Sequence, residues 1–146
     1  MLLVNKWDLI QKDQHTAEAY KKELLQKLAP LDYIPILFTS TIKKQRIYQA
    51  IEKALEVYKN RAQKLATAAL NKVMLAAIER YPPPAIKGKY IKIKYVTQLP
   101  THTPVFAFFC NLPQYIKPPY KRYLEKQLRS HFALEGVPVK LVFRKK

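Results

Sequence analysis

Along the first sixty residues the apolar positions fall into two kinds of array. Leu2 to Val4 and Tyr33 to Phe38 are short apolar runs closed by polar residues, Asn5-Lys6-Trp7-Asp8 after the first and Thr39-Ser40 after the second. Runs of that length between polar loops predict buried strands. Between them, Thr16 to Leu28 repeats apolar residues at Ala17, Tyr20, Leu24 and Leu28, and after the second run Ile47, Ile51, Leu55 and Tyr58 keep the same spacing. Both stretches predict amphipathic helices with those residues turned inward. Strand, helix, strand, helix is the order of a parallel α/β sheet, whose ligand sites lie beyond the carboxyl ends of its strands. Asn5 to Asp8 and Thr39 to Thr41 stand at two such ends.

The pattern changes after residue 60. Ala66, Leu70, Val73, Met74, Ala77 and Ile78 form one helical face, and Pro82-Pro83-Pro84 stops that helix. Lys89 to Val96 alternates, with Ile91, Ile93 and Tyr95 expected on one face and Lys92 and Lys94 on the other. Val105 to Cys110 is apolar throughout, as a central strand is. Pro119 to Phe132 predicts a helix that buries Tyr120, Leu124, Leu128 and Phe132 while Arg122, Lys126 and Arg129 line another side. Val139, Leu141 and Phe143 alternate with Lys140 and Arg144 in a last strand. The expected architecture is therefore α/β over residues 1–60, followed by an α+β module of order α-β-β-α-β over residues 61–146.

Charge separates the same two parts. The 146-residue chain carries a formal net charge of +17. Residues 1–60 hold 10 basic and 7 acidic side chains, whereas residues 61–146 hold 17 basic and 3 acidic ones. An apolar fraction of 49% supports a folded core. The single cysteine, Cys110, excludes an internal disulfide or a thiolate cluster. No apolar stretch approaches the roughly 20 residues that a bilayer span needs, so neither a membrane segment nor a signal peptide is expected. Only two glycines occur, Gly88 and Gly136. Every glycine-rich phosphate cradle needs close glycines so that backbone amides can approach phosphate, and such loops are excluded.

Of the polar clusters, Asn5-Lys6-Trp7-Asp8 carries the most specific chemistry. A carboxylate at Asp8 accepts two hydrogen bonds at once, from the ring N–H and the exocyclic amine of guanine, a donor pair that adenine lacks. Asn5 can brace the loop and reach the base, the Lys6 stem can lie along it, and an amide at Ser40-Thr41 can donate to the guanine carbonyl. His15, His102 and His131 share no metal-ligand spacing, and no nucleophile, base pair or carboxylate pair suggests catalysis by this chain, so no catalytic or metal residue is expected.

These residues resemble the Der (EngA) family of tandem-GTPase ribosome-assembly factors, in its C-terminal portion. Asn5-Lys6-Trp7-Asp8 matches the N-K-x-D base-recognition motif of that family, and Ser40-Thr41 falls where it has Ser-Ala. Tyr81-Pro82-Pro83-Pro84, Lys92-Ile93-Lys94-Tyr95 with Gln98, Tyr120-Lys121-Arg122-Tyr123-Leu124-Glu125 and Glu135-Gly136-Val137-Pro138 follow in order. The resemblance implies that residues 1–60 are the truncated C-terminal part of a P-loop GTPase sheet and residues 61–146 a KH-like domain without a G-x-x-G clamp. It also implies GTP or GDP with Mg²⁺ as ligands of the intact family, and a cytoplasmic role in large ribosomal subunit biogenesis. This chain lacks the family's phosphate loop, switch regions and magnesium ligands and is expected to be inactive alone. Thr41 replaces the usual alanine, and Lys43-Lys44 stands where a glycine commonly follows.

The surplus of positive charge after residue 60 exceeds what solubility requires and points to nucleic acid. Lys92, Lys94, Lys121, Arg122, Lys126, Arg129, Arg144 and Lys145 are the expected contacts to ribosomal RNA, with Lys87, Lys89, Lys140 and Lys146 on the same basic face. Tyr90 and Tyr95 are interleaved with these charges and offer rings on which bases could stack, but strand alternation already accounts for them as core residues, and that is the expectation. The competing expectation is a stand-alone RNA-binding or interaction module with no nucleotide binding, in which the first part is only a support.

Overall fold

The computed structural model describes residues 1–11, 15–86 and 88–146. Lys87 lies outside the described residues. The chain is a mixed α/β protein of two compact units, Met1–Asn60 with Glu135–Val137, and Arg61–Leu134 with Pro138–Lys146.

In the first unit β1 (Leu2–Val4) pairs in parallel with β2 (Ile36–Phe38), placing Val4 beside Phe38. The second strand is shorter than its apolar run because Tyr33 and Ile34 lie in a turn, and Leu2 N–H donates to the carbonyl of Pro35. Helix α1 (Thr16–Lys27) turns Ala17, Leu24 and Leu25 toward a small core of Trp7, Ile36 and Phe38. Helix α2 (Ile47–Ala62) departs from expectation. Of its predicted inner stripe Ile47 is half-buried, whereas Ile51 at 55%, Leu55 at 56% and Tyr58 at 65% are exposed. The buried positions are Ala50 and Asn60. Periodicity locates a helix and its apolar stripe, but which side finds a neighbour is a tertiary matter.

That neighbour includes Glu135–Val137, three residues remote in sequence that cluster with the first unit. Asn60 Nδ2 donates to the Glu135 carbonyl at 3.2 Å, Lys53 Nζ pairs with the Glu135 carboxylate at 3.2 Å, and Gly136 N–H donates to the Tyr33 carbonyl at 2.8 Å. Gly136 has φ +74°, and a Cβ there would lie 2.5 Å from Val57 Cγ2, so both backbone conformation and space require glycine.

The second unit runs α3 (Thr67–Arg80), β3 (Ile93–Leu99), β4 (Val105–Cys110), α4 (Pro118–His131) and β5 (Lys140–Lys145). Its sheet has the order β3-β4-β5, antiparallel between the first two and parallel between the last two, so the all-apolar β4 is central. One side of the sheet packs Ile93, Val96, Phe106, Phe108 and Cys110 against Leu70, Met74 and Ile78 of α3 and Tyr120, Leu124 and Leu128 of α4. Burial of that many large side chains, each contributing about 1.5–3 kcal/mol, is what holds the unit together. Pro118 and Pro119 open α4, where a missing N–H is harmless, and His131 ends it with Nδ1 2.9 Å from the Gln127 carbonyl.

The edge strand corrects the alternation read from sequence. Register slips between Ile93, opposite Cys110, and Tyr95, opposite Phe109. Lys94 is the extra residue of a bulge, which lets Ile93 and Val96 both face the helices and turns Tyr95 to the opposite side. Tyr90 is not in the core either, being 82% exposed.

Candidate functional site

Two places gather the residues singled out by sequence, one in each unit. In the first, the loops after β1 and β2 are tied together by the main chain. Thr39 N–H donates to the Val4 carbonyl at 2.8 Å, and Trp7 N–H donates to the Thr39 carbonyl at 3.0 Å. Parallel pairing thus brings Asn5 to Asp8 beside Thr39 to Thr41. Lys6 adopts a left-handed conformation, φ 57°, which starts the short 3-10 turn Trp7–Leu9. Trp7, in the middle of the motif, is an anchor that sequence reasoning did not assign. It is 4% exposed and packs on the ring of Phe38 at 4.2 Å and edge-on against Tyr20 at 5.5 Å. With Trp7 fixed inward, Asn5 and Lys6 remain exposed and Asp8 is half-buried.

Ser40 and Thr41 divide their roles. Ser40 is fully buried, its N–H donates to the Gln45 carbonyl at 3.2 Å, and its Oγ accepts from Lys43 N–H at 3.2 Å. It braces the loop from inside, while Thr41 is exposed at its head. The loop returns through Lys44 and Arg46, both left-handed at φ 51° and 57°, and Arg46 Nη1 donates to the Phe38 carbonyl at 3.4 Å. Non-glycine residues hold such conformations at a cost of about 1–2 kcal/mol each. The Lys44 conformation is one that glycine would adopt without strain.

In the second unit the strands bring distant cations to one end of the sheet. Lys92 N–H donates to Asn111 Oδ1 at 2.9 Å, Asn111 N–H donates to the Lys92 carbonyl at 3.3 Å, and Lys146 N–H donates to the Cys110 carbonyl at 3.3 Å. Lys145 stands beside Cys110 in the parallel register and Arg144 beside Phe109. The start of β3 and the ends of β4 and β5 therefore meet, and Lys92, Lys94, Arg144, Lys145 and Lys146 are exposed around that end. Lys121, in the first turn of α4, places Nζ 5.3 Å from the centroid of the Phe143 ring and joins the helix to the same strand. Arg122 and Lys126 are exposed one turn apart on α4.

Arg129 behaves differently from its expected companions. Its guanidinium pairs with the Glu125 carboxylate at 2.8 Å and 3.0 Å, donates to the Leu134 carbonyl at 2.9 Å, and its side chain is only 17% exposed. It fastens the end of α4 to the following segment. Spacing alone could not distinguish it from Arg122, because the distinction depends on where Leu134 returns.

Where the end of α3 meets the start of α4, the exposed Tyr81, the buried Tyr120 and the half-buried Tyr123 form a cluster, Tyr120 Oη donating to the Tyr81 carbonyl and Tyr123 Oη to the Ala77 carbonyl, both at 2.8 Å. Burial, reinforced by the neighbouring phenols of Tyr123 and Tyr81, pushes the Tyr120 hydroxyl above the ordinary phenol range. Burial likewise pushes the Cys110 thiol up, and the residue packs as a small apolar side chain. Among the described residues no group of three or more His, Cys, Asp or Glu side chains could hold a metal ion. No helix among them is long and apolar enough to cross a membrane.

Comparison with known proteins finds matches along the whole chain. The model of a family described as KH-domain-like of EngA bacterial GTPase enzymes, C-terminal, matches residues 64–144. Over all 146 residues the chain is 71% identical to GTPase Der of Amoebophilus asiaticus and 51% identical to GTPase Der of Cytophaga hutchinsonii, covering 34% of each. It is 50% identical to GTPase Der of Flavobacterium johnsoniae, covering 33% of that protein. The chain thus spans about a third of the length of these curated relatives.

Proposed function

Given that the chain belongs to the KH-like C-terminal family of EngA bacterial GTPases, we propose that it is the RNA-contacting end of a cytoplasmic, GTP-binding ribosome-assembly factor. Its partner in this reading is ribosomal RNA of the large subunit. The observation that carries the reading is the convergence of Lys92, Lys94, Arg144, Lys145 and Lys146 at one end of the second unit's sheet. Lys121, Arg122 and Lys126 extend the positive surface along α4. Cations brought together from two strands, on either side of the all-apolar central one, make a field that one helix face does not, and such a field attracts the phosphate backbone irrespective of sequence.

The first unit supplies the base end of a guanine site. Asp8 takes the ring N–H and amine, Asn5 and Lys6 border the base, and the Thr41 amide faces its carbonyl, with Ser40 holding the loop in shape. The donor set suits a guanine base and offers nothing for a triphosphate or its Mg²⁺. Phosphoryl transfer depends on positioning and charge neutralisation around those groups, which the donors here do not supply. The 146 residues by themselves should therefore hydrolyse no GTP.

Salt titration of the whole chain against a large-subunit RNA fragment tests the RNA reading. Each neutralised phosphate should contribute a log-log slope of roughly 0.7 to 0.9, and the pair Lys92→Glu with Lys94→Glu should flatten it and weaken binding. A flat response in the unaltered chain would overturn the reading. For the first unit the measurement is guanosine binding. Asp8→Asn turns one acceptor into a donor facing the guanine amine, so binding should be lost. Unchanged binding would leave an RNA-binding module whose first unit is a support alone.

A further inference from the structure

The sheet of the second unit has a second face. Val96, Phe106 and Phe108 point to the helices, so Tyr95, Thr97, Ala107, Phe109, Val142 and Arg144 point the other way by strand alternation. On that face Tyr95 and Phe109 are cross-strand partners with stacked rings, centroids 4.4 Å apart and planes inclined by 15°. Lys146 Nζ lies 4.9 Å from the centroid of the Tyr95 ring. Arg144 is next to Phe109 in register, and the bulged Lys94 adjoins Tyr95.

We propose that this face is a stacking platform for unpaired bases of single-stranded RNA, with Tyr95 and Phe109 receiving bases and Lys94, Arg144 and Lys146 taking the flanking phosphates. The proposal rests on the RNA-binding reading above and adds the kind of RNA: unpaired nucleotides beside any duplex held by the phosphate-binding cations. Three features select this occupant. Aromatic rings on paired strands have little rotamer freedom to lose when a base settles on them. Tyr95 and Phe109 are both half-buried, and the exposed Lys146 sets its ammonium over the Tyr95 ring, where a base would replace it while bringing a phosphate within that lysine's reach. The rim is cationic, complementing a polyanion, whereas lysine is depleted at interfaces between proteins.

The bulge at Lys94 then has a consequence for binding. Were Lys94 paired in regular register and not bulged, unbroken alternation after Ile93 would send Tyr95 into the core and Val96 outward, and the aromatic pair would not form.

The test uses the full chain with three probes: a labelled single-stranded oligoribonucleotide of about ten nucleotides, the same oligonucleotide with its central nucleotides abasic, and a blunt RNA duplex of equal charge. Removing the bases while keeping the phosphates should weaken binding on the order of tenfold. Tyr95→Leu with Phe109→Leu should cause the same loss with the intact oligonucleotide and none with the duplex, at an unchanged salt slope. If the double variant does not fold, the unaltered chain still decides the matter through the intact and abasic probes. Equal affinity for those two probes, with the duplex still bound, would overturn the platform and leave the RNA reading standing. Binding of no probe at all would overturn both.

Discussion

The side-chain amide of Asn71 grips the main chain of Val96 in both directions, its Nδ2 donating to the Val96 carbonyl and its Oδ1 accepting from the Val96 N–H, each at 2.8 Å. Val96 lies on an edge strand, where alternate residues turn their backbone groups away from the sheet. Asn71 takes the place of the missing neighbour, and it does so just after the bulge that sets the direction of Tyr95.

Asn71→Ala should therefore destabilise the second unit by about 2–4 kcal/mol, since it leaves a buried donor and a buried acceptor without partners. Asn71→Asp, which sets an acceptor-only carboxylate against the Thr67 and Val96 carbonyls to which Nδ2 donates, should cost at least as much. Chemical denaturation of both variants, followed by the circular dichroism of the whole chain, checks the order.

Gly136→Ala should destabilise the first unit through two separable effects. The added Cβ meets Val57 Cγ2 at 2.5 Å and Pro35 Cδ at 3.2 Å, and φ +74° is unfavourable for alanine by about 1 kcal/mol. Adding Val57→Ala should relieve the clash but not the backbone strain. A double-mutant cycle measured by thermal unfolding reads the coupling.

Lys44→Gly should stabilise the first unit by about 0.5–1 kcal/mol. The left-handed conformation at φ 51° is strained for lysine and natural for glycine, and the gain exceeds the added entropy of the unfolded chain. The same substitution at Arg46 should help less, because it also removes the bond from the guanidinium to the Phe38 carbonyl.

Alkaline pH should unfold the second unit through groups that ionise more readily when exposed. Both Tyr120 and Cys110 have pKa values raised in the folded state, so the folded protein binds their protons more tightly than the unfolded chain. Stability from these two groups is complete below the ordinary thiol range. It then falls as pH climbs past about 8.5 for the thiol and about 10 for the phenol. Denaturation midpoints measured from pH 7 to pH 11 should decline, with Tyr120→Phe reducing the steepest part of the loss.

Several elements were legible from sequence because one physical signal sufficed for each. Val105 to Cys110 is uniformly apolar and forms the central strand, and Leu70, Met74, Leu124 and Leu128 follow helical spacing and are fully buried. The exposed stripe of α2 and the outward Tyr95 were misassigned for the same reason. Period alone assumes that the apolar side is the covered side and that no residue has been inserted into the ladder. Trp7 was hidden within a polar motif, and Arg129 within a basic one.

By itself, the amino-acid order determined the two-part division of charge, the succession of strands and helices, the absence of a glycine-rich phosphate cradle and the presence of Asn5-Lys6-Trp7-Asp8 at a strand end. These are properties of composition and local periodicity, which act over a few residues. Only the tertiary structure decided which residues meet: Glu135–Val137 joining the first unit, Asn71 closing the edge at Val96, and the start of β3 lying against the ends of β4 and β5 so that lysines fifty residues apart share one surface. Those meetings depend on long-range packing and on a single inserted residue at Lys94, and neither leaves a periodic trace along the chain.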